Sequence, residues 1–277
     1  MTVGAADFDW IAQLVWQRSA IVLEKGKEYL VESRLAPLAR KTGAENVSEF
    51  VGRLIAKPDS VLITEVVDAM TTNETSWFRD HLPFQALQSH IFPELMRLRG
   101  RQRSVRIWSA GCSSGQEPYS IAMVAQDHLA LHPGWAIDIV ATDLSEVMLD
   151  KARAARYGQL EVNRGLPVAM LVRHFERLGT DWQLRNEIRR MVEFRNVNLA
   201  QRMPEMGTFD VIFLRNVLIY FDAETKRGVF DQVKRMLRPD GYLFLGGAET
   251  TLNVDPDFEP VTYDRATCYR LRGREVS

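Results

Sequence analysis

Cysteine is scarce in this chain. Cys112 and Cys268 are its only two, and they lie far apart among 277 residues. They form neither a disulfide framework nor a zinc pattern. A reducing cytoplasm and no metal site are expected. Long apolar runs are missing too: none approaches the roughly 18 residues of a membrane-crossing helix. The opening MTVGAADFDW has no basic segment followed by an apolar run, so no secretory signal and no membrane insertion are expected. Charge of one sign is also lacking. The 35 basic and 36 acidic residues leave a net charge of −1, which gives no general reason to bind nucleic acid. No repeat or low-complexity segment occurs.

What remains is an ordinary globular composition on a chain long enough for two domains. Residues 1–72 read as an all-helical domain. Asp7 is placed as a cap for a helix carrying Phe8, Ile11, Leu14 and Val15. A second helix over 28–41 contains Pro37, so a kink or break is expected there. Ser48 and Ser60 are placed as caps of a third and fourth helix. Lys27, Arg34 and Lys41 recur every seven residues, which makes either a basic stripe for an acidic partner or a solvated face.

Residues 73–100 read as a joining segment. From Ser104 the pattern changes. Strand-like Val105 to Ser109, Ala136 to Thr142, Thr208 to Leu214 and Tyr242 to Leu245 alternate with helices at 116–130, 145–155 and 223–237. That rhythm predicts an α/β fold with a mostly parallel sheet. The segment 157–207 interrupts it, with short strands at 182–185 and 191–195, and reads as an insertion.

Four constellations carry chemistry. Gly111-Cys112-Ser113-Ser114-Gly115 joins a strand to a helix, where glycines let a backbone turn and approach a ligand. Exposed amides at the helix start receive polar groups. Asp143 ends the next strand. A carboxylate there accepts hydrogen bonds from ribose hydroxyls, or caps the following helix. The pair does not separate a nicotinamide cofactor from S-adenosylmethionine. A buried run, Phe209 to Leu214, leads into Arg215-Asn216 at the edge where ligands bind. Arg215 reads equally as a surface ion pair, and Tyr220 and Phe221 as core. The fourth is Thr71 to Asp80, at the junction of the two domains.

Together these segments resemble the chemotaxis receptor methyltransferases, the CheR family. TTNETSWFRD is similar to that family's Thr-x-Asn-x-Thr-x-Phe-Phe-Arg signature, with Trp77 at the first Phe. RIWSAGCSSGQEPYSIAM resembles its cofactor loop, with Gln116 replacing a usual Glu and Glu117 retained. ATDLS, FRNVNL, FDVIFLRNVLIYF and PDGYLFLGGAE also fit, and so do Lys27 to Leu30 and Ser33 to Leu35.

The resemblance implies a Rossmann-like S-adenosylmethionine-dependent methyltransferase domain over 73–277. A small β-subdomain is inserted within about 157–207, and an all-α domain at 1–72 contacts the receptor. It implies methyl transfer to glutamate carboxylates of methyl-accepting chemotaxis receptors, with S-adenosylhomocysteine as product. Cofactor contacts fall on Asn73, Thr75, Arg79, Gly111, Glu117, Asp143, Asn198, Leu199, Arg215 and Asn216. Arg79 and Tyr220 are the catalytic candidates. The expected partner is the receptors' cytoplasmic helical domain, met by a cytoplasmic monomer recruited to receptor arrays. The link from Phe175 to Val192 is short for the hairpin loop associated with docking on a receptor's C-terminal peptide, so a tether-independent enzyme is expected.

Overall fold

A computed structural model describes residues 3–273. Contacts divide the chain into two units. The first runs up to Thr72 and includes Tyr220–Thr225; the second holds the rest.

The first unit has four helices: α1 (Ala5–Ser19), α2 (Glu28–Lys41), α3 (Val47–Ala56) and α4 (Ser60–Met70). Phe8, Ile11 and Val15 of α1, Val31 and Leu35 of α2, Phe50 and Leu54 of α3, and Val66 and Met70 of α4 share one core. α2 passes through Pro37 unbroken. A mid-helix proline costs about 3 kcal/mol. Val31, Leu35 and Leu38 are buried on both sides of it. At about 1.5–3 kcal/mol each, their burial outweighs that cost. The caps differ from the expected ones by one or two residues. Asn46 accepts from the Glu49 amide, and Asp59 accepts from Val61 and Leu62. These amide and carboxylate oxygens do the capping assigned to Ser48 and Ser60, and Asp7 lies within the first turn of α1, whose N-cap position is Gly4.

The Lys27, Arg34, Lys41 stripe is spent internally. Lys27 pairs with Glu24 and Lys41 with Glu65, each at 2.8 Å. Arg34 donates to the Met70 and Thr71 carbonyls and to Thr72 Oγ1.

The second unit opens with α5 (Leu82–Ala86), a π-helical turn (Leu87–Ile91) and α6 (Phe92–Leu98). The main alternation follows as β1 (Ser104–Ala110), α7 (Gln116–Leu131), β2 (Ala136–Asp143) and α8 (Glu146–Ala154). Next come β3 (Arg156–Tyr157), α9 (Gln159–Val162), α10 (Val168–His174), β4 (Phe175–Leu178), β5 (Asp181–Leu184) and α11 (Asn186–Arg189). β6 (Val192–Asn196), β7 (Phe209–Leu214), a 3-10 turn (Leu218–Tyr220), α12 (Ala223–Met236), β8 (Leu237–Leu245), β9 (Phe258–Tyr263) and β10 (Ala266–Leu271) complete the chain.

The main sheet has seven strands in the order β6-β2-β1-β7-β8-β10-β9. β6 through β8 are mutually parallel, and β10 is antiparallel to both its neighbours. Every residue of β7 is buried, as expected for a strand covered on both faces. β3, β5 and β4 form a separate three-stranded sheet. The strand expected near 191–195 is β6, and it belongs to the main sheet instead. β4 and β5 are joined by the two-residue turn Gly179-Thr180.

The order of strands reverses between β1 and β7. In open α/β sheets the crevice at that point, outside the carboxyl ends of the strands, is where ligands bind.

Candidate functional site

The Gly111 loop is pinned to the end of β2. The amides of Gly111 and Cys112 both donate to the Thr142 carbonyl, at 2.8 and 2.9 Å. Gly111 has φ +73, and a Cβ there would collide with the Val217 side chain. Gly115 has φ +92, and a Cβ there would press on Ala152. Glycine is therefore required at both turns by space as well as by φ. The result is a tight backbone cradle opening α7.

Asp143 is buried at 9% exposure. Its Oδ2 accepts from the Ser113 amide at 2.7 Å and its Oδ1 from the Ser145 amide at 2.9 Å. Burial pushes this carboxyl above its ordinary pKa, and the amides offset part of that rise. The capping role belongs to Ser145, whose hydroxyl accepts from the Met148 amide. Beside it, Val197 donates to the Asp143 carbonyl, which brings Asn198 and buried Leu199 to the same edge. Asn198 Oδ1 accepts from the Ala200 amide.

Arg215 resolves its open reading. Its side chain is 1% exposed, so it is no surface ion pair. Nη1 donates to Glu117 Oε2 at 2.9 Å, and Nη2 to Asp80 Oδ2 at 2.7 Å and to the Arg79 carbonyl at 2.9 Å. Its Nε has no partner. Glu117 Oε1 accepts from Ser109 Oγ at 2.8 Å. Glu117 thus ties the β1 end to the β7 end.

The Asn73–Asp80 segment reaches the same group. The Asn73 carbonyl accepts from Ser113 Oγ at 2.9 Å, and the Phe78 amide donates to Ser120 Oγ at 3.0 Å. Arg79 joins the network through its backbone; its guanidinium donates to the Glu74 carbonyl at 3.3 Å. Thr75 is half-buried in the same segment. Trp77 is buried edge-on against Tyr157 and Phe175 at 4.9 and 5.3 Å. The Tyr157 hydroxyl donates to the Ser114 carbonyl, which ties β3 to the cradle.

Asn73, Gly111, Glu117, Asp143, Asn198, Leu199, Arg215 and Asn216 therefore meet at one sheet edge, with the Arg79 backbone. Tyr220 belongs to the first unit, where its carbonyl accepts from the Val22 amide. Glu249, which closes the PDGYLFLGGAE stretch, has no role assigned from the sequence. Its carboxylate accepts from the amides of Asn216 at 2.6 Å, Gly246 at 2.8 Å and Ile219 at 3.2 Å. It clamps the Asn216 turn, held at φ +58, to the end of β8. Its sequence signals are an acid just beyond a strand's carboxyl end and its place at the end of PDGYLFLGGAE.

Two family models cover this chain. The CheR methyltransferase all-alpha domain matches residues 6–71, and the CheR methyltransferase SAM-binding domain matches residues 73–267. The chain belongs to the CheR methyltransferase family. It is 42% identical to chemotaxis protein methyltransferase 1 of Pseudomonas aeruginosa over 98% of this chain and 100% of that protein. Chemotaxis protein methyltransferase Cher2 of Pseudomonas putida is 43% identical over 93% and 94%. The Escherichia coli chemotaxis protein methyltransferase is 34% identical over 93% and 89%. This CheR-family chain is thus an S-adenosylmethionine-dependent methyltransferase of chemotaxis, with a Rossmann-like catalytic fold.

The residues at the edge fit that cofactor. The cradle admits no side chain at Gly111. Asp143 spends one lone pair of each oxygen and keeps the others. Among the described residues no group of three or more His, Cys, Asp or Glu side chains is placed to hold a metal ion. No described helix is long and apolar enough to cross a membrane.

Proposed function

We propose that the chain methylates glutamate side chains of methyl-accepting chemotaxis receptors, giving glutamyl methyl esters. The observation that carries this reading is how the acids at the edge are used. Asp143, Glu117 and Glu249 each hold two or three hydrogen bonds, and Asp80 pairs with Arg215. They hold the site together and are not poised to remove a proton. A carboxylate acceptor, with an unperturbed pKa of about 4.3, is already the nucleophile at neutral pH. S-adenosylmethionine, when bound, supplies a methyl group activated by its sulfonium. The chain's own task is then to orient the acceptor in line with that methyl.

In this reading Asp143 takes the ribose hydroxyls, Glu117 the ammonium end, and Asn198 and Leu199 the adenine. Gly111, Asn73, Thr75, Arg215 and Asn216 shape the pocket around them. Arg79 and Tyr220 orient the reacting groups. The partner is the cytoplasmic helical domain of the receptors, met by a monomer recruited to receptor arrays without a peptide tether.

The test is methyl transfer from radiolabelled S-adenosylmethionine to receptor-containing membranes of the same cell. Base-labile methyl esters on receptor glutamates are expected. Esters formed only on small carboxylic acids, or none at all, overturn the reading.

A further inference from the structure

The carboxyl edge of the main sheet carries a second concavity. β10 runs antiparallel to β8, with Tyr269 opposite Leu243. The β9–β10 hairpin turns at Asp264-Arg265, because Ala266 pairs with Tyr263. Its tip therefore arrives where β8 ends. There a cavity of about 300 Å³ is lined by Asp80, Arg215, Glu249, Arg265, Thr267 and Tyr269, among others.

Most of its charge is already used. Asp80 is paired with Arg215 at 2.7 Å. Glu249 is engaged by three backbone amides. Asp264, next to Arg265, is turned to His90 at 2.9 Å. Arg265 itself is exposed and makes no hydrogen bond or ion pair with a described residue. Thr267 adds an exposed hydroxyl. Arg265 is thus the one guanidinium of this lining without a hydrogen-bond partner, a fork suited to a carboxylate. Its volume is at the small end for ligand sites, the size for a side chain rather than a cofactor.

Its place on the sheet is informative. Gly111, Asp143, Asn198 and Leu199 lie at the ends of β1, β2 and β6. The cavity lies across the switch point, at the carboxyl ends of β7 and β8 and the amino end of β10. We infer that it is an acceptor-side subsite which takes an acidic side chain flanking the methylated glutamate and holds it through Arg265. This rests on the receptor-glutamate reading above.

The test uses the cytoplasmic fragment of a receptor from the same cell, its methyl esters mapped by mass spectrometry. Each acidic residue within about one helical turn of a methylated glutamate is replaced by Gln. One replacement should raise KM about three- to fivefold with kcat unchanged, the loss expected for one partly exposed ion pair. Arg265→Ala should give the same rise on the unaltered fragment and no further rise on the replaced one. Arg265→Glu should shift preference towards Lys at that position. Methylation that ignores every flanking acid overturns the subsite alone, and so does an Arg265→Ala penalty that is equal on both fragments. No methyl ester on any receptor glutamate overturns the receptor reading and the subsite with it. Arg265 sits at an exposed hairpin tip, so these variants retain the fold.

Discussion

Arg99 and Arg215 are both buried beside two carboxylates in the second unit, yet one cluster is closed and the other open. Arg99 donates from Nε to Asp210 at 2.7 Å and from both Nη atoms to Asp240 at 2.7 and 2.5 Å. Asp210 accepts the Arg106 amide with its other oxygen. The Arg99 guanidinium holds the Asp240 carboxyl below its usual range, and its own pKa is raised in turn. Asp210 lies at the start of β7, away from the carboxyl edge. Arg215 lies just past the end of that same strand. One of its nitrogens is unpartnered, and its acids Glu117 and Asp80 come from the start of α7 and from the segment before α5. A cluster whose central guanidinium has a carboxylate on each of its three nitrogens holds a fold. One with polar capacity left over, at the switch point of the sheet, is where ligands bind.

The largest expected effect breaks the closed cluster. Arg99→Ala strips Asp240 of its guanidinium and leaves Asp210 with Arg238 alone, at 3.2 Å, and should cost about 3 kcal/mol in chemical denaturation, the low end for breaking a buried pair. Turnover per folded molecule should stay near wild type. A stable variant with lost activity would reverse the assignment of the two clusters.

Next comes the open cluster. Lysine cannot span Glu117, Asp80 and the Arg79 carbonyl at once, because it lacks the planar fork. Arg215→Lys should therefore lower turnover about tenfold or more, with a smaller stability loss than Arg99→Ala. Equal damage to stability and turnover would make the two clusters alike. Asp143→Asn keeps one acceptor oxygen for a loop amide and loses the charge. Hydrogen bonds to charged groups contribute about 1.5–3 kcal/mol, so S-adenosylhomocysteine should bind about ten- to a hundredfold more weakly in calorimetry. Unchanged affinity would remove Asp143 from the cofactor's ribose.

The contrast between the clusters also shows what the sequence could carry. β1, β2 and β7 were legible because both faces are covered, which leaves near-continuous apolar runs. The fold class and the Gly111 cradle followed from them. β9 and β10 were not read: Pro260 and the exposed residues of β9 break the apolar pattern of an edge strand. The helices at 82–98 were read as a joining segment, since Pro83 and Pro93 look like breaks until they are seen at helix starts. At the site, residue types were legible but their partners were not. Whether Arg215 is buried depends on Asp80 and Glu117, 135 and 98 residues away. Glu249 was missed for the same reason, because its amides come from two separate loops.

The smallest effect concerns a buried polar group with no cluster at all. His174 is 1% exposed, and neither ring nitrogen has a partner. Burial lowers its pKa, opposed by Asp127 and Glu187 and reinforced by Arg173 and Arg185. Asp127 is itself paired with Arg173 at 2.6 Å, which weakens its hold on an imidazolium. His128 is lowered too, by burial and then by His132. A folded pKa below the unfolded value of about 6.5 means that the native state binds fewer protons. The stability is therefore full above pH about 6.5 and falls as pH drops from there to the folded pKa. Melting temperature should decline over that window in the wild type, and less steeply in His174→Leu. Adding His128→Leu should flatten the profile further. A variant that keeps the wild-type slope would mean that Asp127, not burial, sets the charge of His174, and that this site is a third ion-pair cluster rather than an unpaired one.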